Sequence, residues 1–254
     1  MFIDTHCHLY DEKLIGNIDK IVENAKIAGV EKIIIAGCDI ASSLQCIEIS
    51  KKYPEVYVCI GFYPEQADKY DSDAEQKLRE MAKYEKVVGI GEIGLDYSYP
   101  ATKEIQKDVL LRQIKLAHEL KLPVVIHGRD SYGDVVDILR QNKKYLDYSG
   151  TFHCYTGSSE LAKEIVKLGL YISVGGVSTF QNANKVRQMI KEVDIQKIIL
   201  ETDSPYLSPT PMRGKINEPA FIPFIAENLA VLKGIDIGEV ERITTFNARG
   251  LFKL

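Results

Sequence analysis

The chain opens with Met1-Phe2-Ile3-Asp4-Thr5-His6-Cys7-His8, a short apolar run ending in two histidines one residue apart. Side chains on a strand alternate between its faces, so His6 and His8 point one way and Cys7 the other. Two imidazoles at a strand end are well placed to hold a divalent cation. Alone, the pair reads equally well as two surface histidines. Further along, Glu92, His127, His153 and Asp203 each follow or end an apolar run. Each has a structural reading of its own: a strand-end histidine, a loop carboxylate, or, for Asp203 before Ser-Pro, a turn former. Their shared placement favours the metal-binding reading.

That placement depends on the elements. Apolar runs at residues 32–38, 56–61, 87–93, 123–126, 148–152, 170–174 and 197–200 follow the first one, which makes eight strand-like segments. Continuous apolar runs of this kind suit strands buried on both faces. Helical periodicity lies between them, at residues 17–29, 42–53, 73–84, 102–120, about 131–144, 159–168 and 184–193, with two more helices after residue 218. Asn17 is expected to cap the first helix and Gly29 to stop it. Eight strands, each followed by a helix, predict an α/β protein with a (β/α)8 TIM-type barrel and extra C-terminal helices. A doubly wound open sheet is the competing fold, and no glycine-rich nucleotide turn supports it. With no linker or low-complexity segment, residues 1–254 are expected to form one domain.

In a parallel barrel the C-terminal strand ends share one face, where active sites form. Four of the five histidines, His6, His8, His127 and His153, therefore converge there with Glu92 and Asp203, leaving only His118 on a helix. Four imidazoles and two carboxylates exceed what one tetrahedral ion with an open position needs. They suit two ions about 3.5–4 Å apart that share a bridging carboxylate. Cys7 and Cys154 are soft donors but are left outside the ligand set.

Composition narrows the function classes. The chain has 254 residues, is 45% hydrophobic and carries a net charge of -4, with no Lys/Arg block that would grip a long duplex. Five cysteines with no CxxC argue against a disulfide framework and for a reducing, cytoplasmic setting. No apolar run is long enough to cross a bilayer. The aromatics are mostly tyrosine, and no regular interleaving suggests a stacking platform for single strands. No helix face reads as spare, so a monomer is expected.

The residues also carry a resemblance. Asp4-Thr5-His6-Cys7-His8, Gly91-Glu92-Ile93-Gly94-Leu95-Asp96-Tyr97, Val125-Ile126-His127-Gly128-Arg129-Asp130, Phe152-His153-Cys154-Tyr155-Thr156-Gly157, Glu201-Thr202-Asp203-Ser204-Pro205-Tyr206-Leu207 and Arg213-Gly214-Lys215-Ile216-Asn217-Glu218-Pro219 occur in this order along the chain. Together they resemble the TatD-type metal-dependent deoxyribonucleases of the metallohydrolase superfamily. The resemblance implies two divalent ions and phosphodiester hydrolysis, with His6, His8 and Asp203 on one ion, His127 and His153 on the other, and Glu92 bridging. It also implies substrate contacts from Tyr63, Arg129, Glu201, Arg213 and Asn217, although Arg213 reads equally well as a loop ion pair. Two positions depart from the family pattern. Tyr63 stands in Gly61-Phe62-Tyr63-Pro64 where the family commonly has His, and Gly128 stands where it often has Ser.

The expected mechanism uses the ions to lower the pKa of a water, with Asp203 as the base that takes its proton. Histidine-rich ligation favours Zn, Mn, Ni or Co over Mg, while the family is usually described as magnesium-dependent. DNA attacked from single-stranded ends is the expected substrate. The rivals are hydrolysis of a small ester, lactone, amide or phosphoester on the same scaffold, and a non-catalytic metal-binding protein.

Overall fold

The computed structural model describes residues 1–99 and 103–254. Its centre is a sheet of eight parallel strands paired in chain order: β1 (Phe2–Cys7), β2 (Val30–Ala36), β3 (Val56–Ile60), β4 (Val87–Asp96), β5 (Val124–Arg129), β6 (Gly150–Phe152), β7 (Tyr171–Val174) and β8 (Ile198–Leu200). Cys7 and Ser204 form a parallel bridge, with the Asp203 amide on the His6 carbonyl at 2.9 Å and the His8 amide on the Ser204 carbonyl at 2.7 Å. These bonds bring the last strand back to the first and nearly close the barrel. The helices wrap outside: α1 (Ile18–Ile27), α2 (Ile40–Lys52), α3 (Ser72–Met81), α4 (Lys103–Leu120), α5 (Tyr132–Gln141), α6 (Ser159–Lys167), α7 (Asn184–Glu192), α8 (Ile222–Lys233) and α9 (Ile237–Phe252). The expected start of α4 at Thr102 lies outside the described residues. None of the described helices is long and apolar enough to cross a membrane.

Strand alternation sorts the apolar residues into two bodies. Ile33, Ile35, Val56, Val58 and Ile60 face the helices and join the large core between sheet and helix ring. Ile3, Ile34, Ala36, Cys59, Val125 and Ile199 pack in a smaller cluster with Leu251 and Phe252, the last residues of α9. Apolar burial on both faces of the sheet is the largest favourable contribution to this architecture.

Caps fix where several helices begin. Asp39 accepts from the Ser42 amide at 2.8 Å, and the Ser42 hydroxyl reaches back to the Asp39 amide at 2.9 Å, a reciprocal box at the start of α2. Asp71 caps α3 through the Ala74 amide at 2.8 Å, and Ser158 caps α6. Asn17 makes no side-chain cap, contrary to expectation, because a short 3-10 turn over Ile15–Asn17 already leads the chain into α1. Gly29 does end the helix, at φ 81°, where a side chain would be strained.

The edges of two strands differ from the expectation in a way that matters for the site. Glu92 and His127 do not end their strands. β4 continues past Glu92 because Ile93, Gly94, Leu95 and Asp96 pair onward with Ile126, His127, Gly128 and Arg129. An irregularity between Ile90 and Ile93 lets the register shift there. Gly94, at φ 157°, sits so close to β5 that a Cβ would overlap the His127 carbonyl.

Candidate metal centre

All six proposed ligands meet at the C-terminal mouth of the barrel. His6 is 1% and His8 7% exposed, and their Nε2 atoms lie 3.3 Å apart. Glu92 Oε2 is 3.4 Å from His6 Nε2 and 3.6 Å from His8 Nε2. Asp203 Oδ1 is 3.4 Å from His8 Nε2 and 3.8 Å from His6 Nε2. His6, His8 and Asp203 each offer one donor atom within 4.8 Å of the other two, close enough to share one divalent ion. The other Glu92 oxygen faces a second group. Oε1 is 2.8 Å from His127 Nδ1 and 2.9 Å from His153 Nε2, and those two nitrogens are 3.0 Å apart. These match the edges of about 3.0 Å expected between neighbouring ligands in an octahedron of about 2.1 Å radius. One carboxylate thus presents one oxygen to each of two donor sets.

The surroundings orient the rings. His8 Nδ1 lies 3.1 Å from the Ala36 carbonyl, which as its hydrogen-bond partner leaves Nε2 to face the cluster. Glu201 is fully buried and lies 3.5 Å from His153 Nδ1 while accepting from the Cys154 amide at 2.5 Å and the Ser173 hydroxyl at 2.6 Å. Asp96 sits behind His127 at 3.5 Å from Nε2 and accepts from the Tyr63 hydroxyl at 2.9 Å. Burial works against charge on Glu92, yet His153, His127 and His6 hold its carboxyl well below the usual range. Burial likewise opposes protonation of His8 and His153, but Asp203 beside the one and Glu92 and Glu201 beside the other raise both well above the ordinary imidazole value. Carboxylates and imidazoles thus stabilise each other's charged forms, and a divalent cation must compete with protons for the same imidazole nitrogens.

Not every expected contact faces the cavity. Tyr63 and Arg129 line it. Glu201, Arg213 and Asn217, also expected to contact substrate, are not among the residues that line it. Glu201 backs His153. Among the described residues Arg213 forms no loop ion pair: its guanidinium stacks on Phe180 at 3.8 Å and donates to the Ser208 carbonyl. Asn217 is fully buried, and its amide donates to the carbonyls of Thr202 at 2.8 Å and Tyr206 at 2.6 Å, clamping the loop that carries Asp203. Gly128 reflects packing, because a Cβ there would come 2.6 Å from the Phe152 ring. Cys7 is buried away from the cluster in the core, as strand alternation requires.

Two predictions follow from these placements. Glu201→Gln is expected to weaken metal affinity at the His153 side by about 10–100-fold, measured by competition with a chromogenic chelator. Unchanged affinity would remove Glu201 from that role. Asn217→Ala leaves the buried Thr202 carbonyl and the partly buried Tyr206 carbonyl without this partner and is expected to cost about 1–3 kcal/mol in urea unfolding, a loss that a substrate-contacting residue would not produce.

Sequence reasoning missed several residues. Asp96 lay inside a quoted motif but was given no role, since nothing in the sequence places it behind His127. Tyr10 and Cys38 also went unmarked, although the Tyr10 hydroxyl donates to Cys38 Sγ at 3.2 Å and lies 3.4 Å from His8 Nδ1. Tyr10 and Cys38 line a cavity of about 710 Å³ together with His8, Glu92, His127, His153 and Asp203, within the size range of small-molecule sites.

Barrel, ligand placement and a carboxylate shared between two donor sets define a metal-dependent hydrolase. The sequence matches the family described as TatD related DNase over residues 3–253, and the chain belongs to that family. The metal-dependent hydrolase YabD of Bacillus subtilis (strain 168) is 40% identical over 255 residues, covering 100% of both chains. The 3'-5' ssDNA/RNA exonuclease TatD of Erwinia tasmaniensis is 31% identical and covers 93% of each. Among solved structures, YJJV, a TatD homolog from Escherichia coli K12, superposes with a TM-score of 0.94 at 29% identity, covering 100% of this chain and 98% of that one.

Proposed function

We propose that this protein hydrolyses phosphodiester bonds of DNA at single-stranded ends, using two divalent ions. His6, His8 and Asp203 would hold one ion and His127 and His153 the other, with Glu92 between them. The observation that carries this reading is the division of the Glu92 oxygens between two donor sets at the base of a cavity of about 710 Å³. Similarity to a named single-strand exonuclease supports the choice of substrate. Such ions, when bound, supply positive charge for a phosphodiester's oxygens and acidify a water.

The protein's own groups do the rest. Burial alone would raise the Asp203 carboxyl, but His8 beside it holds it below the usual range, so it is ionised at neutral pH and can accept a proton from the attacking water. Its side chain is 14% exposed, against 4% for Glu92, so it is the carboxylate that water reaches more readily. Arg129 stands on the rim as a donor for the phosphate oxygens, while the Tyr63 hydroxyl beside it donates to Asp96. Glu201 and the Ala36 carbonyl keep the imidazoles aimed.

A second reading, a small ester or phosphoester as substrate, draws on Asp11 and Glu65 at the mouth, whose charge opposes a long polyanion. The experiment that separates the two uses chelated and then metal-restored protein. Its substrates are 3'- and 5'-labelled single-stranded oligodeoxynucleotides, a p-nitrophenyl phosphodiester and a carboxyl ester. Metal-restored shortening from one end is the expected result. Ester turnover with the oligonucleotides left intact would overturn the nuclease reading.

A further inference from the structure

Five tyrosines from five separate stretches of chain, Tyr10, Tyr63, Tyr99, Tyr132 and Tyr206, line the cavity that holds the ligand cluster. Tyr206 stands out because it is both open and fixed. It is 45% exposed, yet its hydroxyl donates to Asp11 Oδ2 at 2.8 Å. Its backbone amide donates to the Asp203 carbonyl at 2.9 Å, and its carbonyl accepts from the buried Asn217 amide at 2.6 Å. Its ring centroid is 6.2 Å from that of His8, one ring's distance from the proposed ligands. Lys13 Nζ lies over the ring, 5.3 Å from the same centroid, which puts a cation on one aromatic face and leaves the other for a base. Across the cavity, Tyr63 packs against His127 at 4.8 Å and Tyr99 against Tyr63 at 5.8 Å. A rigid ring left in water beside a cation has the features of a surface built to stack a planar base next to a phosphate.

We propose that Tyr206 forms a nucleobase-stacking subsite at the cavity mouth, taking the base on the His8 side of the scissile phosphate, with Lys13 meeting the neighbouring phosphate. The assignment rests on the phosphodiesterase reading above and adds to it a preference for nucleotides that carry a base. Any base has a stacking face, so the subsite selects for the presence of a base and not for its identity. The competing account is structural: the Tyr206 hydroxyl merely ties the loop after β8 to Asp11. Tyr206→Phe separates the two, since it keeps the ring and removes that hydrogen bond.

The test uses metal-loaded full-length protein and pairs of single-stranded oligonucleotides that differ only in the residue at the attacked end, a normal nucleotide or an abasic tetrahydrofuran. The wild type is expected to prefer the base-bearing strand by about ten-fold or more in kcat/KM, mainly through KM. Tyr206→Phe should keep that preference and Tyr206→Ala should lose it. A phosphorothioate oligonucleotide with 2-aminopurine at the same position gives a readout without turnover: its fluorescence should be quenched on binding to the wild type and to Tyr206→Phe, but not to Tyr206→Ala. Retention of the base preference and the quench in Tyr206→Ala would overturn the subsite, as would equal wild-type cleavage of both strands. If the wild type cleaves neither strand, the phosphodiesterase reading itself falls and takes the subsite with it, an outcome visible without any variant.

Discussion

Asp203→Asn is expected to lower turnover by about 10²–10⁴-fold while the barrel stays folded. The amide has nearly the same shape and can still accept a hydrogen bond, but it cannot take a proton from water. Of the two carboxylates that face the His6 and His8 nitrogens, Asp203 is the more exposed and Glu92 the more enclosed. Asp203 has a positive φ of 56°, which Asn tolerates about as well as Asp, so the loop has little reason to move. Three measurements belong together: turnover, metal content and the thermal midpoint. Lost turnover with metal content retained identifies a proton acceptor. Turnover lost in proportion to metal would make Asp203 only a ligand, and comparable turnover would remove it from both roles.

The second large effect is expected at Glu92. Its carboxylate lies between the four imidazoles, one oxygen to each pair. Glu92→Gln removes that charge and offers an amide nitrogen to one of the donor sets. Metal content is expected to fall and turnover to drop to the level of chelated wild type. The metal-free variant should also be destabilised, by about 3–5 kcal/mol, because buried imidazoles that carry protons lose their counter-charge. Elemental analysis and chemical unfolding after chelation read the two effects separately. Full occupancy together with wild-type stability would show that Glu92 is not the shared group.

The barrel was legible because its signal is repeated. Eight apolar runs, each followed by a helical period, fix the order of elements, and the histidines after the runs then fall on one rim. What escaped sequence reading was of two kinds. Strand limits moved where pairing with a neighbour extends them: β4 runs through Glu92 because its residues to Asp96 pair with β5, and no local periodicity reports that partner. Residues in matched motifs were also given the wrong neighbours. Asn217 and Arg213 sit in a recognisable string, but a string does not say whether a side chain faces the cavity or the loop beneath it. The tyrosine-lined mouth was the largest omission. Its five rings come from positions 10 to 206, so no window along the chain contains an aromatic pattern. Asp96 and Glu201 were obscured for a related reason, since a carboxylate that backs a histidine is recognisable only once the two are brought within reach.

The end of the chain has a consequence for how a polymer could use the site. Leu251 and Phe252 pack with Ile3, Ile34 and Val125 inside the barrel, so the last turn of α9 closes the end opposite the metal centre. The tunnel suggested by a ring of strands is thus a well with a solid base. A long strand cannot be drawn through such a well. It can only dip in from above, and a free tip does so with less bending than a segment continuous on both sides. Under the proposed strand cleavage, a released piece would leave by the opening through which it came, so departure of the product and arrival of the next tip would compete for one doorway.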